Sequence, residues 1–156
     1  MSVGKSTGSQ PRWLLTGASG SLGGMIARKL IANGWEVVGM TRKPQAGEVA
    51  FKLGGDIAAE TLEGYDALIH CAYDFAPVSW ADIEATNVQG SAKLFRAAKE
   101  AGIKHLLVIS TISAFDGCKS NYGRAKLMIE EHAREAGACV VRPGLIYGAQ
   151  PGAMFG

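Results

Sequence analysis

Short apolar runs separated by longer stretches of helical spacing set the rhythm of this chain. Residues 12–16, 35–40, 49–53, 67–72, 105–110 and 138–142 each read as a buried strand. Leu68-Ile69 and Leu106-Leu107-Val108-Ile109 are apolar without alternation, the pattern of strands covered on both faces. Between them, residues 22–32, 80–101 and 121–136 carry helical patterns, the first with Leu22, Ile26 and Leu30 on one side. Asn33-Gly34, Ala101-Gly102 and Ala136-Gly137 close these patterns, because glycine accepts the left-handed conformation in which helices commonly end. Strand and helix in alternation imply parallel pairing through right-handed crossovers. The pattern predicts an α/β fold: one doubly wound parallel sheet of about six strands with helices on both faces.

Glycine changes this picture from a scaffold into a candidate site. The first strand runs into Thr16-Gly17-Ala18-Ser19-Gly20-Ser21-Leu22-Gly23-Gly24, which opens the first helix. Glycines at such a point allow a tight turn, close backbone approach to a pyrophosphate and close helix–strand packing. The helix N-terminus adds free N–H groups and partial positive charge. Gly17, Ser19, Gly20, Ser21, Leu22 and Gly23 are therefore the expected phosphate cradle of a dinucleotide, spaced G-x-x-G-x-x-G. A site for NAD usually carries an acidic residue near the end of the second strand. Here Val38-Gly39-Met40-Thr41-Arg42-Lys43 holds no carboxylate and two cations. Arg42 fits a ribose 2′-phosphate, which favours NADP(H) over NAD(H). Gly4-Lys5-Ser6 resembles the end of a P-loop but has no upstream strand or first glycine to complete it.

Charge and cysteine content narrow the class. A formal net charge of +2 over 156 residues is too small to point to nucleic acid or a membrane surface. No apolar run reaches the roughly 20 residues that span a bilayer. Residues 1–11 read as a polar, flexible leader, and residues 12–156 as one nucleotide-binding domain. Cys71, Cys118 and Cys139 are odd in number and widely spaced, which suits a reducing cytoplasm better than a disulfide framework. Glu130-Glu131-His132-Ala133-Arg134-Glu135 mixes signs and reads as a solvated helix face. His70, His105 and His132 have no metal-ligand spacing, Cys71 reads as a small buried apolar residue, and Phe75 and Trp80 read as packing residues first, with a place near a substrate mouth as the alternative.

Ser110-Thr111-Ile112-Ser113 falls where the fifth strand ends, the edge at which such sheets bind ligands. Tyr122-Gly123-Arg124-Ala125-Lys126 opens the next helix, and a spacing of four puts Tyr122 and Lys126 on one face. A tyrosine near pKa 10 is a poor base at neutral pH, and a nearby lysine cation, helped by an oxidised nicotinamide, can lower that value by about 1–3 units. A hydroxyl from Thr111 or Ser113 then orients a carbonyl or alcohol for proton transfer.

Taken in order, these segments resemble the extended short-chain dehydrogenase/reductases, the epimerase/dehydratase branch. Gly55-Asp56-Ile57, His70-Cys71-Ala72, Asn87-Val88-Gln89-Gly90 and Arg142-Pro143-Gly144-Leu145-Ile146-Tyr147-Gly148 extend the likeness over nearly the whole chain. The resemblance implies that Tyr122 is the general acid/base, with Lys126 holding the nicotinamide ribose and tuning Tyr122. Thr111 is implied as the hydroxyl partner, with Ser113 as its competitor. Asp56 and Ile57 are implied to flank the adenine, Ala72 and Tyr73 to line the ribose and phosphates, and Pro143 and Gly144 to sit beside the nicotinamide. Asn87 is expected to brace the long helix against a neighbouring strand.

Extended members of the family continue past the Arg-Pro-Gly segment into a smaller substrate-gripping domain, most of which is not in these 156 residues. A fragment of a longer protein is the first expectation, with an unpaired sheet edge and exposed apolar surface where the rest is missing, and a short form whose site is open or completed by a partner is the alternative. One functional expectation is an NADP(H)-dependent oxidoreductase, epimerase or dehydratase acting on a sugar nucleotide or similar hydroxy/keto compound. The other is a non-catalytic NAD(P) binder, a redox sensor or scaffold. By analogy with the family, a homodimer through the helices at 80–101 and 121–136 is expected.

Overall fold

Neighbouring leucines of the first strand, β1 (Arg12–Thr16), point to opposite faces and start two separate cores. Leu14 joins Leu68, Val108, Phe95 and Ile129 in the larger cluster, and Leu15 joins Ile69 and Ile109 in the smaller one. The computed structural model describes residues 10–146. Its strands are β1, β2 (Glu36–Thr41), β3 (Val49–Ala50), β4 (Ala67–His70), β5 (His105–Ile109) and β6 (Cys139–Val141). All pair in parallel, in the order β3-β2-β1-β4-β5-β6. This is the doubly wound sheet that the apolar rhythm predicts.

Helix α1 (Ser21–Ala32) covers the Leu15 face with Leu22, Ile26 and Leu30. The opposite face is covered by α3 (Gly90–Glu100) and α4 (Asn121–Glu135), through Leu94, Phe95, Ala125 and Ile129. Each fully buried leucine or phenylalanine contributes roughly 1.5–3 kcal/mol over leaving it in water. Chain direction across the sheet reverses at β1, where Thr16 pairs with Met40 of β2 on one side and His70 of β4 on the other. The crevice beyond Thr16 and His70 is thus the switch point at which such sheets take ligands. Among the described residues no helix is long and apolar enough to cross a membrane, and no cluster of His, Cys, Asp and Glu could hold a metal ion.

Three elements differ from the sequence expectation. β3 stops at Ala50 because β2 ends at its partner Thr41, after which Phe51 and Leu53 turn into the core. β4 stops at His70 because the next two amides, of Cys71 and Ala72, donate to the Thr16 hydroxyl at 3.1 Å each. The long helix is continuous, but α2 (Trp80–Ile83) reaches α3 through a π-helical turn at Glu84–Gln89. Asn87 lies in that widened turn with no exposure. Its Oδ1 accepts from the Asp74 amide at 2.7 Å and its Nδ2 donates to the Asp74 carbonyl at 3.0 Å. It therefore holds the loop after β4 to the helix.

One turn later the helix presses backbone to backbone on the loop after β3. A Cβ on Gly90 would lie 2.4 Å from the Gly54 nitrogen and 2.8 Å from its Cα. Neither side of that contact has a flexible side chain to move. Gly90→Ala is expected to cost about 1–3 kcal/mol of stability, read as a lowered denaturant midpoint; an unchanged midpoint would show that the helix is not held this close.

Candidate active site

The glycine turn is built by close contacts that only glycine permits. Gly17 has φ 72°, and the Gly20 amide donates to the Gly17 carbonyl at 2.9 Å. A Cβ on Gly17 would lie 3.0 Å from the Ala72 nitrogen, and one on Gly23 would lie 2.1 Å from the Gly17 oxygen. The turn therefore rests on the exit of β4, and α1 rests on the turn. Helix α1 starts with no side-chain cap from Gly20 and no acidic residue in its first turn. Its leading amides are free to serve an anion, and Ser19, Gly20 and Ser21 are exposed while Gly23 is buried. This cradle fits a pyrophosphate.

Beside it, the Thr16 hydroxyl ties the two central strands together. Both of its lone pairs are taken by the Cys71 and Ala72 amides, so its single proton goes to His70 Nδ1 at 2.8 Å. His70 then carries its own proton on Nε2 and donates it to Ser91 Oγ at 2.9 Å. Burial, helped by the Lys126 charge, pushes the His70 pKa down to about 3, so the ring is neutral at ordinary pH. Burial also pushes the Cys71 thiol up to about 12, partly offset by Lys126, which leaves it protonated and unreactive.

On the other side of the crevice, the Ser120 hydroxyl accepts from the Gly123 amide at 3.0 Å and caps α4. The cap sets Tyr122 and Lys126 on successive turns. Lys126 is 4% exposed, and its ammonium donates to the Ile109 carbonyl at 2.9 Å. Burial pushes its pKa down to about 8 against the pull of Cys71 and Glu130. Tyr122 lies edge-on to Tyr73, with ring centroids 4.9 Å apart, and stacks on Phe75 at 5.6 Å. Burial raises the Tyr122 pKa, and a side-chain hydrogen bond with Thr111 pulls it back in part. The expected lowering by Lys126 is not what the chain's own groups produce. Its ammonium is 6.0 Å from the Tyr122 ring centroid and bonds the Ile109 carbonyl instead. Of the two candidate hydroxyls, Thr111 is the one that acts on the Tyr122 pKa, and it also accepts from the Ser113 amide at 3.2 Å.

One turn past Lys126, Glu130 departs from the reading of its charged cluster as a solvated face, which holds for the exposed Glu131, Arg134 and Glu135. The Glu130 side chain has no exposure. It accepts from Arg142 Nε and Nη2 at 2.7 and 2.6 Å, from Arg134 at 2.6 Å and from the Ser110 hydroxyl. Burial pushes its carboxyl up, and these donors more than reverse that, so it is ionised. Glu130 thereby fixes the start of the Arg142-Pro143-Gly144 segment to α4 and to the residue before Thr111.

Residues 13–155 match the NAD dependent epimerase/dehydratase family. The chain belongs to this family. It is 30% identical over 146 residues to a ceramide reductase of Caulobacter vibrioides, covering 86% of this chain and 46% of that protein. A 4-hydroxy-2-methyl-3-oxo-4-farnesyl-3,4-dihydroquinoline-1-oxide ketoreductase of Stigmatella aurantiaca is 29% identical, over 77% of this chain and 38% of its own length. The UDP-glucuronic acid 4-epimerase of Bacillus cereus, solved with NAD, shares the fold with a TM-score of 0.76 at 19% identity. That alignment covers 88% of this chain and 57% of the epimerase. The chain thus spans less than half the length of the two curated relatives.

The remaining positions that the family suggests fall around the same edge. Ala72 and Tyr73 follow β4 and pack partly against the larger core, as does Ile57. Asp56 is exposed and pairs with Lys93 at 2.8 Å, which lowers its pKa. Pro143 is half-buried and Gly144 exposed after β6, whereas Tyr147 and Gly148 lie outside the described residues. Arg42 is exposed just beyond β2. Two further residues stand at the site. Phe75, read as a packing residue, is 75% exposed and stacked on Tyr122. Glu48 brings to the end of β2 the carboxylate that the linear reading did not find there, bonded to the Thr41 hydroxyl at 3.3 Å.

The buried, neutral His70 makes stability depend on pH. Unfolded, it takes a proton near pH 6.5; folded, it resists one down to about pH 3. Its contribution is complete above 6.5 and falls as pH drops toward 3, by about 1.4 kcal/mol per unit at most. In urea titrations the stability gap between wild type and His70→Asn is expected to narrow from pH 7 to pH 5; a constant gap would contradict a neutral buried ring.

Proposed function

We propose that this chain carries the cofactor-binding half and the proton-transfer residues of an NADP(H)-dependent oxidoreductase acting at a hydroxyl or keto carbon. The observation that carries the reading is the convergence of the uncapped glycine turn with Thr111, Tyr122 and Lys126 on one carboxyl edge of the sheet. The bound cofactor supplies or accepts the hydride. Gly17, Ser19, Gly20, Ser21, Leu22 and Gly23 would hold its pyrophosphate, Arg42 its 2′-phosphate, Asp56 and Ile57 its adenine side, and Ala72, Tyr73, Pro143 and Gly144 its nicotinamide side. Lys126, presented from the buried side, would bond the ribose.

Tyr122 then handles the proton. Its raised pKa keeps it a phenol at neutral pH, which suits donation of a proton to a substrate carbonyl oxygen. Thr111 orients that oxygen. In the reverse reaction the same phenol takes the role of base, and its deprotonation has to overcome burial.

For the substrate, a sugar nucleotide or similar hydroxy/keto compound remains the proposal, supported by the epimerase of the same fold. The apolar rim of Phe75, Val78, Ile112, Phe115 and Leu145 on the three loops after β4, β5 and β6 supports a substrate with an apolar part. A homodimer through α3 and α4, acting in the cytoplasm, completes the proposal. A second reading, a non-catalytic NAD(P) binder serving as a redox sensor or scaffold, needs the uncapped glycine turn but neither Tyr122 nor Lys126.

Tyr122→Phe separates the two. An enzyme is expected to lose about 10²–10⁴-fold in ketone reduction while holding NADPH as wild type does. Equal rates in the two forms would leave only the binder.

A further inference from the structure

The loop between β2 and β3 contains no helix, and its two ends carry opposite charges. Arg42 is the first residue after β2, and Glu48 the last before β3. Glu48 is held in place: its Oε2 accepts from the Gln45 amide at 2.9 Å and from the Thr41 hydroxyl at 3.3 Å. The other oxygen, Oε1, lies 3.0 Å from where a Cβ on Gly39 would stand, and Ala18 Cβ is 3.3 Å from the same point. Any side chain at residue 39 would push the carboxylate away. Glu48 and Ala18 also line one cleft of about 420 Å³, which runs between α1 and β2 past Gly24, Arg28, Val38 and Gly39, so the carboxylate and the residue after Gly17 face the same space. Among the described residues Glu48 has no cation within ion-pair distance, although Arg28, Arg42 and Lys43 belong to the same region.

We propose that Glu48 is a cofactor-selecting residue, a carboxylate fixed beside the glycine turn that opposes Arg42 at the adenosine ribose. This rests on the reading of the turn as a dinucleotide site. A carboxylate accepts hydrogen bonds from a ribose diol and repels a phosphate dianion, whereas a guanidinium does the reverse. With both present the preference for NADP(H) is shallow, and NAD(H) binds as well.

The test is a fluorescence titration of the protein with NADPH and NADH, in wild type, Glu48→Gln and Arg42→Gln, with thermal unfolding of each. Gln at 48 keeps an oxygen for the Gln45 amide and the Thr41 hydroxyl and removes the charge. Glu48→Gln is expected to raise the NADPH/NADH affinity ratio by about tenfold, a modest share of a near-contact charge repulsion. Arg42→Gln is expected to lower it. An unchanged ratio overturns the proposal, and so does an equal loss of both cofactors, which would make Glu48 a loop brace only. If folded wild type binds neither cofactor, the dinucleotide reading falls and takes this proposal with it.

Discussion

The three-way hydrogen bonding of the Thr16 hydroxyl is the contact on which the rest of the site depends. It ends β4 by capturing the Cys71 and Ala72 amides, and it fixes His70 as the Nε2–H tautomer. Those two consequences place the backbone of Ala72 against Gly17, where a Cβ would already be too close. The switch-point crevice owes its shape to that junction. Through His70 and Ser91 the same chain of bonds reaches α3, so the helix, the central strands and the glycine turn are set relative to one another by buried, fully partnered polar groups. A half-satisfied version of this network would cost more than an apolar one.

Helix α4 organises the opposite wall by simple periodicity. Tyr122, Lys126 and Glu130 stand four residues apart and so share one face. They pass from half-exposed phenol to buried ammonium to buried carboxylate along the direction into the core. Each charge is matched locally: Lys126 by the Ile109 carbonyl, Glu130 by two arginines and a serine. Glu130 also supports the charge of Lys126 against burial. The helix thus delivers the proposed proton donor and the proposed ribose ligand from one rigid element, while Arg142 brings in the segment after β6.

Much of this was legible in the amino-acid order because it is local. Apolar runs without alternation reported strands buried on both faces, and Gly17, Gly20 and Gly23 reported a turn that closes within seven residues. The Tyr122–Lys126 pair reported a helical face. What escaped reading depends on contacts between distant segments. Glu130 looked solvated because its partners Ser110 and Arg142 come from other elements. The π-helical turn has its reason in Gly54 and Asp74, far from Gly90 and Asn87 in the chain. The carboxylate sought at the end of β2 was absent from that strand but returned at Glu48, after a loop whose course no periodicity encodes. For Phe75 the sequence left packing and a place near the substrate mouth both open, since an isolated aromatic in a loop has no pattern to set its direction over Tyr122.

The central claim is that the uncapped start of α1 holds a dinucleotide. It is tested most directly by following backbone amide resonances during addition of NADPH. The account predicts that the amides of Gly20, Ser21, Leu22 and Gly23, with Ala72 across the crevice, shift together and saturate at one affinity. Saturable shifts confined to other parts of the sheet edge, with these five amides unmoved, would contradict it.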